Sequence, residues 1–386
     1  MADFHFALGP QIWMGPDTLL RLPLLVPELA GSDTLRALLI ADPLLYDPKI
    51  VGRVLSLLED RGVELLVFDE IPERATSSVA EDALKLARGS RSPLIIGLGG
   101  VKTLMIARAV AALAQGSVEL DSFMDGTDRG CASLPLIEIP TSLRHSFMAD
   151  ECVALADSRD RKPRLLRSQG MTPSVVLIDP NLSSSLPPKL AASCLIAAMM
   201  SAIESYVSIK STFMSDLVLE KAIASLAQAL DAIIARPDDP AARNQGWQGS
   251  FLAGLGQSLS APGIATSLTL AINARYPVPK ASLAAILLPY SMESAMKSRL
   301  EKIAALAPLL GIDTSSLSAA EAAAKSVEWL RTRLGLLKIP SRLKDFDLEL
   351  DRLVEVARDA REIDFMNYLP RAVSVDDVFD FVKMAY

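Results

Sequence analysis

One feature constrains this chain more than any other: a strand–helix alternation that runs through the first half and then stops. Leu35–Ile40 is a short apolar run ending in Ala41-Asp42-Pro43, and Val63–Phe68 and Pro93–Leu98 are two more. Between them Ile50–Arg61 and Val79–Arg88 carry apolar residues at helical spacing, and Gly99-Gly100 leads into a helix through Ala114. Leu134–Ile139 and Ser174–Ile178 add two further strands. Buried strands that alternate with helices predict a parallel α/β sheet covered on both faces. After Asp179-Pro180 the pattern becomes helical: 187–209, 213–236, 240–260, 262–273, 281–295, 298–310, 318–335 and 348–361. The chain therefore divides into an α/β domain over 1–183 and an all-helical domain over 184–386. A cleft between two such domains is the natural place for a ligand.

Composition narrows the function classes. The 386 residues are 50% apolar and 22% charged, as in a folded globular protein. A mean hydropathy of +0.30 requires a membrane reading to be tested. The longest apolar run, Leu190–Ile203, is shorter than the roughly 18 residues a spanning helix needs, so it reads as a buried helix and no membrane partner is expected. The N-terminus has neither the basic nor the apolar region of a signal peptide, and the cytoplasm is the expected location. Three scattered cysteines make neither a disulfide framework nor a zinc site. A net charge of −7 with no basic run argues against a nucleic-acid partner. Only two histidines occur, His5 and His145, so a multi-histidine metal site is not expected in one chain. Any histidine catalysis rests on His145 unless His5 folds into a site.

The segment PLIIGLGGVK places Gly99-Gly100 between a strand and a helix. Glycines there let the backbone approach a phosphate while the first helical N–H groups face the anion, and Lys102 adds positive charge. The same turn also serves tight packing.

Further motifs fall in order along the chain: Phe6–Pro16 (FALGPQIWMGP), Leu98–Lys102, Ile139–Ser142 (IPTS), Leu177–Pro180 (LIDP), Ala202–Val207 (AIESYV), Val278–Pro289 (VPKASLAAILLP) and Asp364–Arg371 (DFMNYLPR). The ordered set resembles the iron-containing (group III) alcohol dehydrogenases, the superfamily that includes glycerol dehydrogenase and dehydroquinate synthase. The resemblance implies a Rossmann-like N-terminal α/β domain, an all-α C-terminal domain, and commonly a homodimer. It also implies a nicotinamide dinucleotide held by Asp42, Gly99, Gly100, Lys102, Thr141 and Ser142. Asp42 stands where the family's acidic residue meets the adenosine ribose, which favours NAD over NADP. It is equally an ordinary Asp-Pro turn.

The resemblance fails at the metal. The family holds iron or zinc with one Asp and three His, and the aligned positions here are Ala197, Ser201, Thr266 and Lys280. No metal is expected from such a set. The dinucleotide loop also departs: its third Gly is Val101, its Ser is Lys102, and a following Asp is Met105. The usual Thr-Ala-Gly-Thr-Gly-Ser-Glu becomes Ser142-Leu143-Arg144-His145-Ser146-Phe147-Met148, a bulkier and more basic turn. One reading is a metal-free NAD(P)-dependent oxidoreductase acting on a small aldehyde, ketone or alcohol. Lys280 and His145 are then the polar groups at the substrate, and Arg144 or His145 holds an acidic one. A second is a non-catalytic relative that acts as a binding or regulatory partner. A third is another enzyme on this scaffold, with Arg144, His145 and Lys280 binding a phosphate or carboxylate.

Overall fold

The computed structural model describes residues 9–31, 35–43, 45, 47–237 and 239–386. His5 and the first residues of the opening motif lie outside them. The chain forms two compact units that meet in sequence between Leu186 and Pro187.

The N-terminal unit is built on six parallel strands in the order β1-β8-β5-β4-β2-β3. They are β1 (Gln11–Met14), β2 (Arg36–Ala41), β3 (Glu64–Phe68), β4 (Ile95–Gly99), β5 (Leu136–Pro140) and β8 (Val175–Ile178). Strands β4, β5 and β8 are buried along their whole length, as a parallel sheet covered on both faces requires. The covering helices are α1 (Leu22–Ala30), α2 (Lys49–Glu59), α3 (Ser77–Ser90), α4 (Val101–Leu113) and the short α5 (Leu120–Met124). On one face Leu22, Val26, Val54 and Leu58 pack on Leu39, Ile96, Ile137 and Leu177. Each such side chain contributes about 1.5–3 kcal/mol when fully buried. Helix α4 is buried on nearly every side, with only Lys102 reaching partly outward.

The sequence pattern missed an antiparallel hairpin, β6 (Cys152–Ala156) with β7 (Pro163–Arg167). Its turn is fixed by charge rather than by apolar alternation. The buried Asp157 accepts from the Arg159 backbone N–H and side chain and from Arg164 Nε. Burial alone would push Asp157 up, but the hydrogen bonds from Arg159 and Arg164 outweigh it and hold the carboxyl at about 2.

The second unit is helical: α6 (Pro188–Val207), α7 (Phe213–Ala235), α8 (Pro240–Ser258), α9 (Ile264–Arg275), α10 (Lys280–Ala304), α11 (Leu306–Leu309), α12 (Ala319–Leu336), α13 (Leu353–Glu362) and α14 (Val375–Ala385). Helix α6 extends the apolar run to 20 residues, long and apolar enough to cross a bilayer, and 94% of its most apolar window is buried inside the fold. The two windows 281–295 and 298–310 are one helix, α10, bent at Arg299, followed by the short α11. Helix α14 was not read from the sequence. Its start is a capping box, with Ser374 and Asp377 exchanging bonds across the first turn.

Candidate functional site

Strand order alone marks one place at the carboxyl edge of the sheet in the N-terminal unit. From β2 the chain moves outward to β3 and then returns to place β4 on the other side of β2. Ligands of open α/β sheets bind outside the carboxyl ends of the strands at such a reversal. Asp42 follows β2, with its N–H donating to Leu98 O at 2.9 Å, and Thr141 follows β5, with its N–H donating to Gly99 O at 3.0 Å. Gly99, at the end of β4, sits between them at φ +155°; a Cβ there would lie 2.9 Å from both Asp42 Cβ and Thr103 Oγ1. Only glycine fits that approach.

Gly100 opens α4 in extended backbone and offers no side-chain cap. A Cβ added at Gly100 would meet only Ser142 Oγ, 3.7 Å away. The surface in front of α4 is thus kept flat by the missing side chain, with the start of a 13-residue helix behind it. Lys102 turns its ammonium to Asp42, with Nζ 3.4 Å from Oδ1, and donates to Pro72 O at 3.1 Å. Thr103, which the sequence reading overlooked, donates from Oγ1 to Asp42 Oδ2 at 3.4 Å. The structure therefore gathers Asp42, Gly99, Gly100, Lys102, Thr141 and Ser142 at one place. Thr103 stands three residues past the Gly-Gly turn, and that spacing points to Asp42 only once the close approach at Gly99 is known.

His145 lies elsewhere in this unit. It is 1% exposed, and its Nε2 sits 2.6 Å from Glu138 Oε2 on the central strand β5, turned inward rather than to an open surface. Its Nδ1 is buried with no hydrogen-bond partner. Glu138 also receives a two-pronged contact from Arg108 of α4, Nε to Oε1 at 3.1 Å and Nη2 to Oε2 at 2.9 Å. Burial would raise the Glu138 carboxyl, but the Arg108 guanidinium and then His145 outweigh it and hold it below its ordinary value. Arg108 Nη1 donates to the carbonyls of Phe147, Asp150 and Cys152 at 2.8, 2.8 and 3.1 Å. Leu143, Phe147 and Met148 are buried, and Arg144 is half-buried. The added bulk of the 142–148 turn thus goes largely into the domain. Charged residues inside two apolar runs (MIARAVA and LPLIEIP) were the sequence signal for Arg108 and Glu138.

The helical unit holds Lys280 as the first residue of α10, half-buried. Ala197 and Ser201 are buried on α6 and Thr266 is buried on α9. Beside them Glu204 is a second buried carboxylate. It accepts from the N–H groups of Gly263, Ala265 and Thr266 at 2.7–3.0 Å and from the hydroxyls of Thr266 and Ser291 at 2.7 and 2.8 Å. The start of α9 is thereby closed by the chain's own carboxylate. A small cavity of about 80 Å³ opens next to it, lined by Ser208, Gly263, Lys297, Tyr368 and Arg371 among others. Among the described residues, no group of three or more His, Cys, Asp or Glu side chains comes together in a way that could hold a metal ion.

A parallel sheet with a glycine turn at its reversal, followed by an all-helical unit, defines a two-part protein with an α/β first part and an all-α second part. The family model for iron-containing alcohol dehydrogenase matches residues 9–180, and that for the C-terminal part of the Fe-containing alcohol dehydrogenase family matches 191–386. The chain belongs to the iron-containing alcohol dehydrogenase family. It is 28% identical over 339 residues to long-chain-alcohol dehydrogenase 1 of Geobacillus thermodenitrificans, covering 87% of this chain and 85% of that one. A crystal structure of 1,3-propanediol oxidoreductase superposes with a TM-score of 0.92 at 22% identity, over 100% of both chains. Sulfoacetaldehyde reductase from Bifidobacterium kashiwanohense in complex with NAD+ gives 0.84 at 18% identity, over 100% of this chain and 99% of that one. These matches support an alcohol dehydrogenase-like oxidoreductase with the family's two-part fold.

Proposed function

We propose that the protein is a metal-independent oxidoreductase that interconverts a small aldehyde or ketone and its alcohol with a nicotinamide dinucleotide. The observation that carries this reading is the open backbone turn at Gly99-Gly100, where a Cβ added at Gly100 would meet only Ser142 Oγ, 3.7 Å away. The residues fit a dinucleotide. Gly100 and the start of α4 suit a pyrophosphate, Asp42 suits a ribose hydroxyl, and Thr141 and Ser142 flank them. Bound there, the dinucleotide supplies or accepts the hydride. The sulfoacetaldehyde reductase of the same fold, solved in complex with NAD+, lends the cofactor further support.

The family's metal does not fit the donor set. Ala197 offers a methyl, the Thr266 hydroxyl already donates to Glu204, and an ammonium at Lys280 repels a cation. We assign Lys280 a different role: its positive charge balances the alkoxide that develops on a reduced carbonyl, and its N–H can deliver the proton. Arg144 is the group we assign to an acidic substrate, because His145 is committed to Glu138.

The test is NADH titration calorimetry on chelator-treated protein, followed by a panel of aldehydes and ketones. The expected result is micromolar binding, turnover without added metal, and loss of turnover but not binding in Lys280→Met. Stoichiometric iron or zinc in the purified protein, with activity abolished by its removal, overturns metal independence. Binding without turnover of any carbonyl leaves the non-catalytic relative as the better reading.

A further inference from the structure

The Asp42–Lys102 pair changes what the ribose end of the cradle recognises. A lone carboxylate after the second strand accepts a hydrogen bond from a 2′-hydroxyl and repels a 2′-phosphate. Here that carboxylate has a cation 3.4 Å away, at the loop position where the family resemblance expects an uncharged serine. The side chains of Lys102 and Asp42 are only 19% and 11% exposed, so bulk salt screens the pair weakly. Lys102 is also anchored, because its Nζ donates to Pro72 O. An ammonium has three donors, and these two partners leave one for a further oxygen.

We infer that Lys102 is a specificity-determining residue that lets this site accept a 2′-phosphorylated dinucleotide as well as the unphosphorylated one. The carboxylate serves the 2′-hydroxyl, and the ammonium beside it neutralises the repulsion and binds a phosphate oxygen. Lys102 then acts at the ribose end and not on the pyrophosphate. This inference rests on the dinucleotide reading above and goes beyond it, because Asp42 alone predicts strict preference for NAD.

The experiment is calorimetric titration of the full chain with NADH and NADPH, repeated with 5′-ADP and 2′,5′-ADP. The wild-type protein is expected to bind the two dinucleotides within about tenfold of each other. Lys102→Met, which keeps the stem and removes the charge, should weaken NADPH and 2′,5′-ADP at least tenfold while leaving NADH within threefold. Lys102→Ser, the family's residue, serves as the second variant if the methionine perturbs folding. An equal loss for both dinucleotides, a ratio the substitutions do not move, or a wild-type preference for NADH beyond tenfold overturns the inference and leaves the dinucleotide reading standing. If neither dinucleotide nor either fragment binds the wild-type protein, the dinucleotide reading itself falls and the inference with it.

Discussion

Two helices in this protein begin at a glycine, and they end up with opposite availability. Helix α4 starts after Gly100 with no side-chain cap, at the carboxyl ends of β2 and β4. Helix α9 starts after Gly263, and Glu204 takes the N–H groups of Gly263, Ala265 and Thr266. A helix start carries roughly half a positive charge and several N–H groups that need acceptors. At α9 the protein supplies the acceptor itself, and at α4 no side chain caps the helix start. A glycine before a helix is thus not enough to mark a phosphate site; what else reaches its N–H groups decides.

The comparison can be broken by mutation. The largest loss is expected at the network behind α4. Glu138→Ala strands the Arg108 guanidinium in the interior and should cost about 3–5 kcal/mol in urea unfolding. An effect below about 1 kcal/mol would show that the pair is solvated. Glu204→Ala reopens α9 and leaves three N–H groups and two hydroxyls without their acceptor, so about 3 kcal/mol is expected. A change near zero would mean that water replaces the carboxylate and that the two helix starts are alike. The Asp157 turn gives a smaller, pH-dependent effect. Its folded value is depressed to about 2, so its contribution is complete above about pH 3.8 and drains away as pH falls toward 2. Thermal melts of wild type and Asp157→Asn between pH 5 and 2 should converge at the acid end; parallel curves would rule the contribution out. Gly100→Val should shift stability least, by about 1 kcal/mol, because its Cβ meets only Ser142 Oγ at 3.7 Å and what is lost is chiefly the preference for glycine at a helix start. It should nevertheless abolish NADH binding. Unchanged NADH affinity would place the dinucleotide somewhere other than in front of α4.

Five of the six strands were legible because they are short apolar runs, and their limits follow the hydrophobic pattern within a residue or two; the half-exposed edge strand β1 carries no such run. The β6–β7 hairpin was not legible, since Asp157 and its two arginines fix it and alternation does not. Helix α10 read as two segments because the pattern slips where the backbone bends at Arg299. At the site, glycine and aspartate at strand ends were readable from turn chemistry. Thr103 was not, because its role depends on Gly99 bringing Asp42 within 2.9 Å of where a Cβ would stand. His145 was read as chemistry because a rare residue attracts that reading. Its partner Glu138 lies seven residues earlier, inside a strand that looked purely structural.

Arg108 holds the 147–152 segment by its carbonyl oxygens, atoms that every amino acid carries. A grip of that kind is blind to side chains. The turn ahead of it can exchange glycines and small residues for Leu143, Arg144 and Phe147 without surrendering the anchor of its path. The guanidinium therefore works as a fixture on which the preceding turn can be rewritten while the sheet and α4 stay where they are.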